Sequence, residues 1–244
     1  MTAATEGPVV LAEGVVRRFP SGERELEVLR GVDLSLAPGE IAAIVGPSGS
    51  GKSTLLHCLG GLDRPTAGRV SIAGQDLSRL DDTALARVRS RDVGFVFQFH
   101  HLLPDFDALE NVMLPMLIAG RSPSAAQERA RELLHTVGLG ERIAHAPGEL
   151  SGGEQQRVAV ARSLANDPAI VLADEPSGNL DAANSVALHE LLERLRREHG
   201  ATFLLATHDS ELASRADRVL EMRDGRLEGH SVARRQPAAP GAPA

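Results

Sequence analysis

The sequence has no tryptophan, no tyrosine, one cysteine and six phenylalanines. A core must therefore be assembled from Leu, Val, Ile and Ala. The single cysteine, Cys58, excludes an internal disulfide and suits a reducing compartment. No run approaches the ~18 apolar residues that a membrane-crossing helix needs. The opening residues 1–7 show no basic-then-apolar secretion pattern, so the sequence predicts a soluble chain. Its formal charge of −7 lacks the basic excess of a nucleic-acid binder, which argues against direct contact with DNA or RNA. A length of 244 residues allows one large α/β domain or two small ones.

Lysine is the most informative scarcity. Of 26 basic residues only Lys52 is not arginine. It closes the run Gly46-Pro47-Ser48-Gly49-Ser50-Gly51-Lys52-Ser53, followed by Thr54, which fits the phosphate-cradling pattern G-x-x-x-x-G-K-[ST]. A compact ammonium can reach into such a cradle, whereas arginine's planar fork would disturb it. The apolar run Ile41–Val45 reads as the strand before the loop, and Lys52–Leu59 as the helix after it. The bare N–H groups of that helix start attract phosphate. Lys52 is placed to neutralise β- and γ-phosphates, and the Ser53 hydroxyl to ligate Mg²⁺.

Residues 9–36 and 69–73 alternate apolar and polar, the pattern of half-exposed antiparallel strands. Ile41–Val45, Ala169–Ala173 and Phe203–Ala206 are continuous apolar runs suited to parallel strands covered on both faces, and Val93–Phe97 is a fourth candidate. Val219–Met222, Asp224-Gly225 and Arg226-Leu227 read as a hairpin with a tight turn. Residues 105–165 are helical in character. Ser122-Pro123 starts a helix that stops at Gly138, with Ala126, Ala130, Leu133, Leu134 and Val137 on one face. Another helix spans Ala182–His199, buries Leu188, Leu191, Leu192 and Leu195, and ends at Gly200. Residues 231–244, rich in Ala and Pro, read as a disordered tail.

Two further segments carry chemistry. The run into Asp174 and Glu175 places two carboxylates at the C-terminal end of a buried strand, the edge where open α/β sheets bind ligands. Asp174 suits a Mg²⁺ water shell, and Glu175 suits the base that polarises an attacking water. In Leu150-Ser151-Gly152-Gly153-Glu154-Gln155-Gln156-Arg157, Ser151 and Glu154 form a capping box that starts a helix reaching about Ala165. Two glycines in its first turn weaken the helix, so the sequence predicts a close approach to the backbone. This helix start, with its serine hydroxyl, is a second anion site.

At this point the chain resembles the ATP-binding cassette (ABC) ATPases. Leu150–Arg157 looks like their signature motif, and their other motifs follow in order. The resemblance covers residues ~9–230 and implies an α/β fold, with a RecA-like P-loop lobe (about 1–98 and 157–230), an antiparallel β subdomain and an inserted helical lobe (about 99–156). It implies ATP and Mg²⁺ as ligands, with Ser53, Gln98 and Asp174 around the metal. Gln98 matches the Q-loop glutamine, Ser177-Gly178-Asn179-Leu180-Asp181 the D-loop, and Thr207-His208-Asp209 the switch histidine. Phe19 stands where an aromatic, more often Tyr, stacks on adenine; a strand-core role is an equal alternative. Catalysis falls to Glu175, His208 and Gln98. In that family two cassettes close head to tail, so Ser151, Gly152 and Gly153, with Asp181, serve the nucleotide held by the partner's phosphate loop, which implies a homodimer or a heterodimer with a similar chain. Ser177 and Gln155 depart from the commoner Thr and Arg without affecting catalysis.

Phe95, Phe97, Phe99 and Phe106 crowd the Q-loop, together with His100 and His101, which lack the partner ligands of a metal site. With Leu109, Val112, Met113 and Met116 these suggest a groove for a membrane subunit, the alternative being the helical lobe's own core. This stretch, together with Leu59-Gly60-Gly61-Leu62-Asp63 and Glu110-Asn111-Val112, resembles the lipoprotein-releasing branch of the family. That branch implies permease partners docking near Gln98–Met116, a peripheral place on the cytoplasmic face of the bacterial inner membrane, and no direct lipoprotein contact. Macrolide-exporter and cell-division cassettes are the nearer alternatives, and a non-transport ATPase acting on nucleic acid or ribosome the more distant one.

Overall fold

A computed structural model describes residues 7–22 and 24–232. In chain order its first half runs β1 (Val10–Ser21), β2 (Arg24–Leu36), β3 (Ile41–Val45), α1 (Lys52–Leu59), β4 (Ala67–Ile72), β5 (Gln75–Asp76), α2 (Asp82–Asp92), β6 (Val93–Phe97) and α3 (Ala108–Ile118). Then follow α4 (Pro123–Thr136), α5 (Gly152–Ser163), β7 (Ile170–Asp174), α6 (Ala182–His199), β8 (Phe203–Ala206), α7 (Ser210–Ser214), β9 (Arg218–Arg223) and β10 (Arg226–Val232). The alternating N-terminal segments pair as an antiparallel sheet in the order β2-β1-β4-β5. The apolar runs form a second sheet, β10-β9-β3-β8-β7-β6, parallel except for its β10 edge.

Period-two alternation divides the core. On β3, Ile41 and Ala43 join the helices α3 to α7 on one face. Ala42 and Ile44 join α1, α2 and the antiparallel sheet on the other. A strand buried on both faces must be apolar throughout, which is why these runs do not alternate in polarity.

The expected helix ends are present. Ser122 accepts a bond from the Ala125 amide and caps α4, with Pro123 in its first turn. Gly138, at φ +76°, follows the helix, and Gly200, at φ +65°, ends α6. All five residues expected on the inner face of α4, including the C-cap Val137, are buried. Between β9 and β10, Asp224 and Gly225 both have positive φ, the geometry of a tight hairpin turn. α2 is not among the expected helices, since it buries only Leu85 and Val88 and so lacks a clear apolar stripe. The proposed lobe boundary at 156–157 falls inside the continuous helix α5. β10 extends to Val232, past the expected start of the tail, and residues 233–244 lie outside the described residues. Among the described residues no helix is long and apolar enough to cross a membrane.

Candidate nucleotide site

The loop after β3 turns on glycines with positive φ, and at Gly46 there is no room for a side chain. A Cβ on Gly46 would sit 2.1 Å from the Met222 carbonyl oxygen, so β9 packs directly on the loop. Gly51, at φ +110°, is the N-cap of α1 and has no capping side chain, leaving the first amides free for an anion. The hairpin turn supports the loop from behind, since the Gly225 amide donates to the Ser50 carbonyl at 3.0 Å. Lys52 is 7% exposed, and its Nζ donates to the carbonyls of Gly46 (2.8 Å) and Pro47 (3.2 Å). The ammonium is thereby held over the cradle.

Facing the loop are Asp174, the last residue of β7, and Glu175 beyond it. Glu175 has φ +47°, a left-handed conformation costly for a residue with a side chain. Its Oε2 accepts from the His208 amide at 3.2 Å and lies 2.9 Å from His208 Nδ1. The Glu175 side chain is 19% exposed and that of His208 73%, so the histidine covers the carboxylate from the solvent side. Gln98 and Asn179 form a reciprocal pair: Gln98 Nε2 donates to Asn179 Oδ1 (3.1 Å), and Asn179 Nδ2 donates to the Gln98 carbonyl (3.0 Å). In the sequence Asn179 is only a member of the D-loop motif, because spacing cannot reveal a bond across 81 positions.

A cleft of about 880 Å³ collects these groups. It is lined by Gly46–Gly49, Gly51–Thr54, Gln98, Asp174, Glu175 and His208, and by Val28, Phe97, Phe99 and His101, which sequence reasoning had not assigned to the site. Phe19, Ser50, Ser151, Gly152, Gly153 and Asp181 are not in its lining. The Ser50 hydroxyl is buried beside the loop without a partner. Phe19 is half-buried, and the Arg17 guanidinium lies 4.3 Å from its ring centroid while its Nε donates to Asp63 at 2.7 Å. One ring face is thus already occupied.

The helix start expected to form a second anion site begins α5. The expected capping box is formed: the Ser151 hydroxyl accepts from the Glu154 amide, and the Ser151 amide donates to Glu154 Oε2 at 2.8 Å. Hydrogen bonds from Ser151 hold the Glu154 carboxyl below its ordinary range. The close approach expected at the glycine pair comes, for Gly153, from within the chain. A Cβ there would meet Asn184 Oδ1 at 2.1 Å, and the Asn184 side chain is held by Asp181. Gly152 faces open space.

The aromatic cluster divides. Phe95 and Phe97 stack with centroids 5.7 Å apart, and Phe97 meets His101 edge-on at 5.5 Å. Phe99 is 64% exposed. Of the two readings open for Leu109, Val112 and Met116, a groove or the helical lobe's own core, the structure shows the core. They are buried in the helical core, and Met113 packs against it, because the inner face of α3 meets α4 and α5. A groove of about 410 Å³ lies elsewhere, lined by Leu62, Phe95, Phe97, Leu114, Pro115, Ile118 and the arginines Arg89 and Arg162.

The residues present fit a nucleotide and a divalent cation. Asp174 Oδ1 is buried, without a hydrogen-bond partner, at the wall of the cleft, and Ser53 is exposed at its mouth. A buried carboxylate oxygen left unpaired is costly unless a cation or its water shell completes it.

A phosphate loop opposed by two carboxylates and a histidine, at the C-terminal edge of a parallel sheet, defines a P-loop nucleotide-hydrolysing module. Residues 29–178 match the model of the ABC transporter family, to which the chain belongs; it is an ATP-binding ATPase cassette. It is 54% identical over 221 residues to the lipoprotein-releasing system ATP-binding protein LolD 2 of Caulobacter vibrioides, covering 91% of this chain and 97% of that protein. It is 55% identical over 213 residues to the LolD of Geobacter metallireducens, covering 87% and 95%. Among solved structures, a dimeric form of the bacterial ABC transporter cassette MJ0796 superposes with a TM-score of 0.85 at 41% identity, covering 92% of this chain and 99% of that one. A post-hydrolysis dimer of the same cassette bound to ADP and Pi gives 0.84 at the same identity and coverage.

Proposed function

We propose that this chain is the ATPase of a lipoprotein-releasing complex, working as a head-to-tail homodimer on the cytoplasmic face of the bacterial inner membrane. The observation that carries the dimer is the division of the site. The cleft holds the phosphate loop, Gln98, Asp174, Glu175 and His208, while Ser151, Gly152 and Gly153 lie outside its lining. One chain therefore presents two half-sites, and a second copy completes both. The release function is supported by the near full-length likeness to the two relatives named for it.

In this reading Lys52 and the loop amides bind the β- and γ-phosphates, and Phe19 offers its remaining face to adenine. Ser53, Gln98 and Asp174, which line the cleft, would hold Mg²⁺, and the cation would supply neutralisation of phosphate charge. His208 leaves Glu175 for the γ-phosphate, which frees the carboxylate to take a proton from the attacking water. The partner's Ser151 hydroxyl and first helical amides close the site from the other side. Ser151→Arg puts bulk and charge into that contact. Gel filtration with ATP and Mg²⁺ is expected to give monomer only; normal ATP-dependent dimerisation of this variant would exclude the head-to-tail arrangement.

The groove between the lobes is the proposed seat of a permease helix. Its exposed apolar rim includes Ile118 (70% exposed) and Leu62 (49%). Its two arginines bond backbone carbonyls: Arg89 that of Gly61 at 3.0 Å, Arg162 those of His100 and His101 at 2.7 Å. No carboxylate lines it among the described residues. An amphipathic cytoplasmic helix with an acidic side chain complements this surface. Arg162 also ties the groove to the Q-loop, giving a route from docking to catalysis. Copurification from native membranes tests the assignment. Ile118→Asp is expected to lower recovery of membrane subunits at least about tenfold, with the melting temperature and ATP binding of the purified chain unchanged. Unchanged recovery would place the partner elsewhere, and recovery with ribosomes or DNA would exclude transport.

A further inference from the structure

α6 buries Leu188, Leu191, Leu192 and Leu195, and in the same face it buries a histidine. His189 is 1% exposed, and neither ring nitrogen has a hydrogen-bond partner within normal range. A leucine would fill this position without the cost of burying an imidazole. The compensation on offer is Asp209, whose Oδ2 lies 3.5 Å from His189 Nε2.

Asp209 is a junction. Its Oδ1 caps α7, accepting from the amides of Glu211 (2.8 Å) and Leu212 (3.2 Å). Its Oδ2 also accepts from the Ser177 hydroxyl at 3.3 Å. It directly follows His208, whose ring and amide hold Glu175. One carboxylate thus joins the switch segment to the segment of Ser177 and Asn179, and through Asn179 to Gln98.

We propose that His189 is a positioning residue: its Nε2–H donates to Asp209 and fixes the seat from which His208 exchanges Glu175 for the γ-phosphate. This rests on the ATPase reading of the site. The 3.5 Å separation exceeds a normal N–H···O bond by roughly 0.5 Å, within the reach of a small shift of the switch segment. The charged groups facing the ring are Asp209 and Glu211, Arg215 beyond α7, and Glu193 on α6 itself. Burial, against the pull of Asp209, lowers the ring's pKa from its ordinary value. A neutral ring carries one proton, and only on Nε2 does it point to Asp209.

Two substitutions and one spectrum test this. His189→Leu removes the donor while keeping an apolar filling. It is expected to lower kcat for ATP about fivefold, the rate equivalent of one hydrogen bond, with KM within about twofold. His189→Gln, which can present an amide N–H to Asp209, is expected to recover at least about half of the lost rate. A leucine variant with unchanged kcat, or a glutamine variant no faster than it, would overturn the proposal. In the unsubstituted protein, ¹⁵N-histidine spectra are expected to report the Nε2–H tautomer for His189; a proton on Nδ1 would also overturn it. If the unsubstituted chain hydrolysed no ATP, the reading of the site would fail, and the tautomer would still decide the role of His189.

Discussion

Glu175→Gln is expected to cut ATP turnover at least about a hundredfold, the lower range for losing a general base, while ATP still binds. The amide is isosteric and can still accept from the His208 amide, which meets Glu175 Oε2 at 3.2 Å. What it loses is proton affinity. The left-handed backbone at Glu175 (φ +47°) fixes where the carboxyl leaves the strand, and the substitution does not change that requirement. ATP should therefore accumulate in a closed dimer, seen as an ATP-dependent shift in gel filtration alongside absent phosphate release. A variant hydrolysing at the normal rate would remove Glu175 from the role of base.

Lys52→Ala is expected to weaken ATP binding at least about a hundredfold, because it deletes the only lysine or arginine that lines the cleft among the described residues. Lys52→Arg should fail nearly as badly. The ammonium is 7% exposed and held by two loop carbonyls, and the rigid loop leaves no room for a planar fork. Equilibrium binding of a fluorescent ATP analogue measures both. The composition supplies an independent check on the native chain. An amine-reactive reagent has only Lys52 and the N-terminus to attack, so ATP with Mg²⁺ should protect nearly all internal labelling. Undiminished labelling of Lys52 at saturating nucleotide would contradict its role.

The parallel strands were legible because burial on both faces forces unbroken apolar runs, and Ile41–Val45 and Phe203–Ala206 are strands with those bounds. α4 was legible because caps and stripe agree from Ser122 to Gly138, and α6 because its leucine stripe runs to the stop at Gly200. α2 was not, since two buried residues make no periodic signal. On α3 the sequence left groove and core open, because an apolar stripe has the same sequence whether it faces a partner or the chain's own core; Leu109, Val112 and Met116 face the core.

By itself the sequence singled out the chemistry-bearing residues that one cleft gathers. Lys52, Ser53, Asp174 and Glu175 announce themselves through local spacing, since each sits on or just beyond an element whose ends the local sequence marks. Tertiary structure alone decided the couplings. It set the Cβ clash that makes Gly153 yield to Asn184, the pairing of Gln98 with Asn179, the support of Ser50 by Gly225, and the nearness of His189 to Asp209. These join residues from 20 to 175 positions apart, and only the packing of sheets and helices brings such residues within bonding distance.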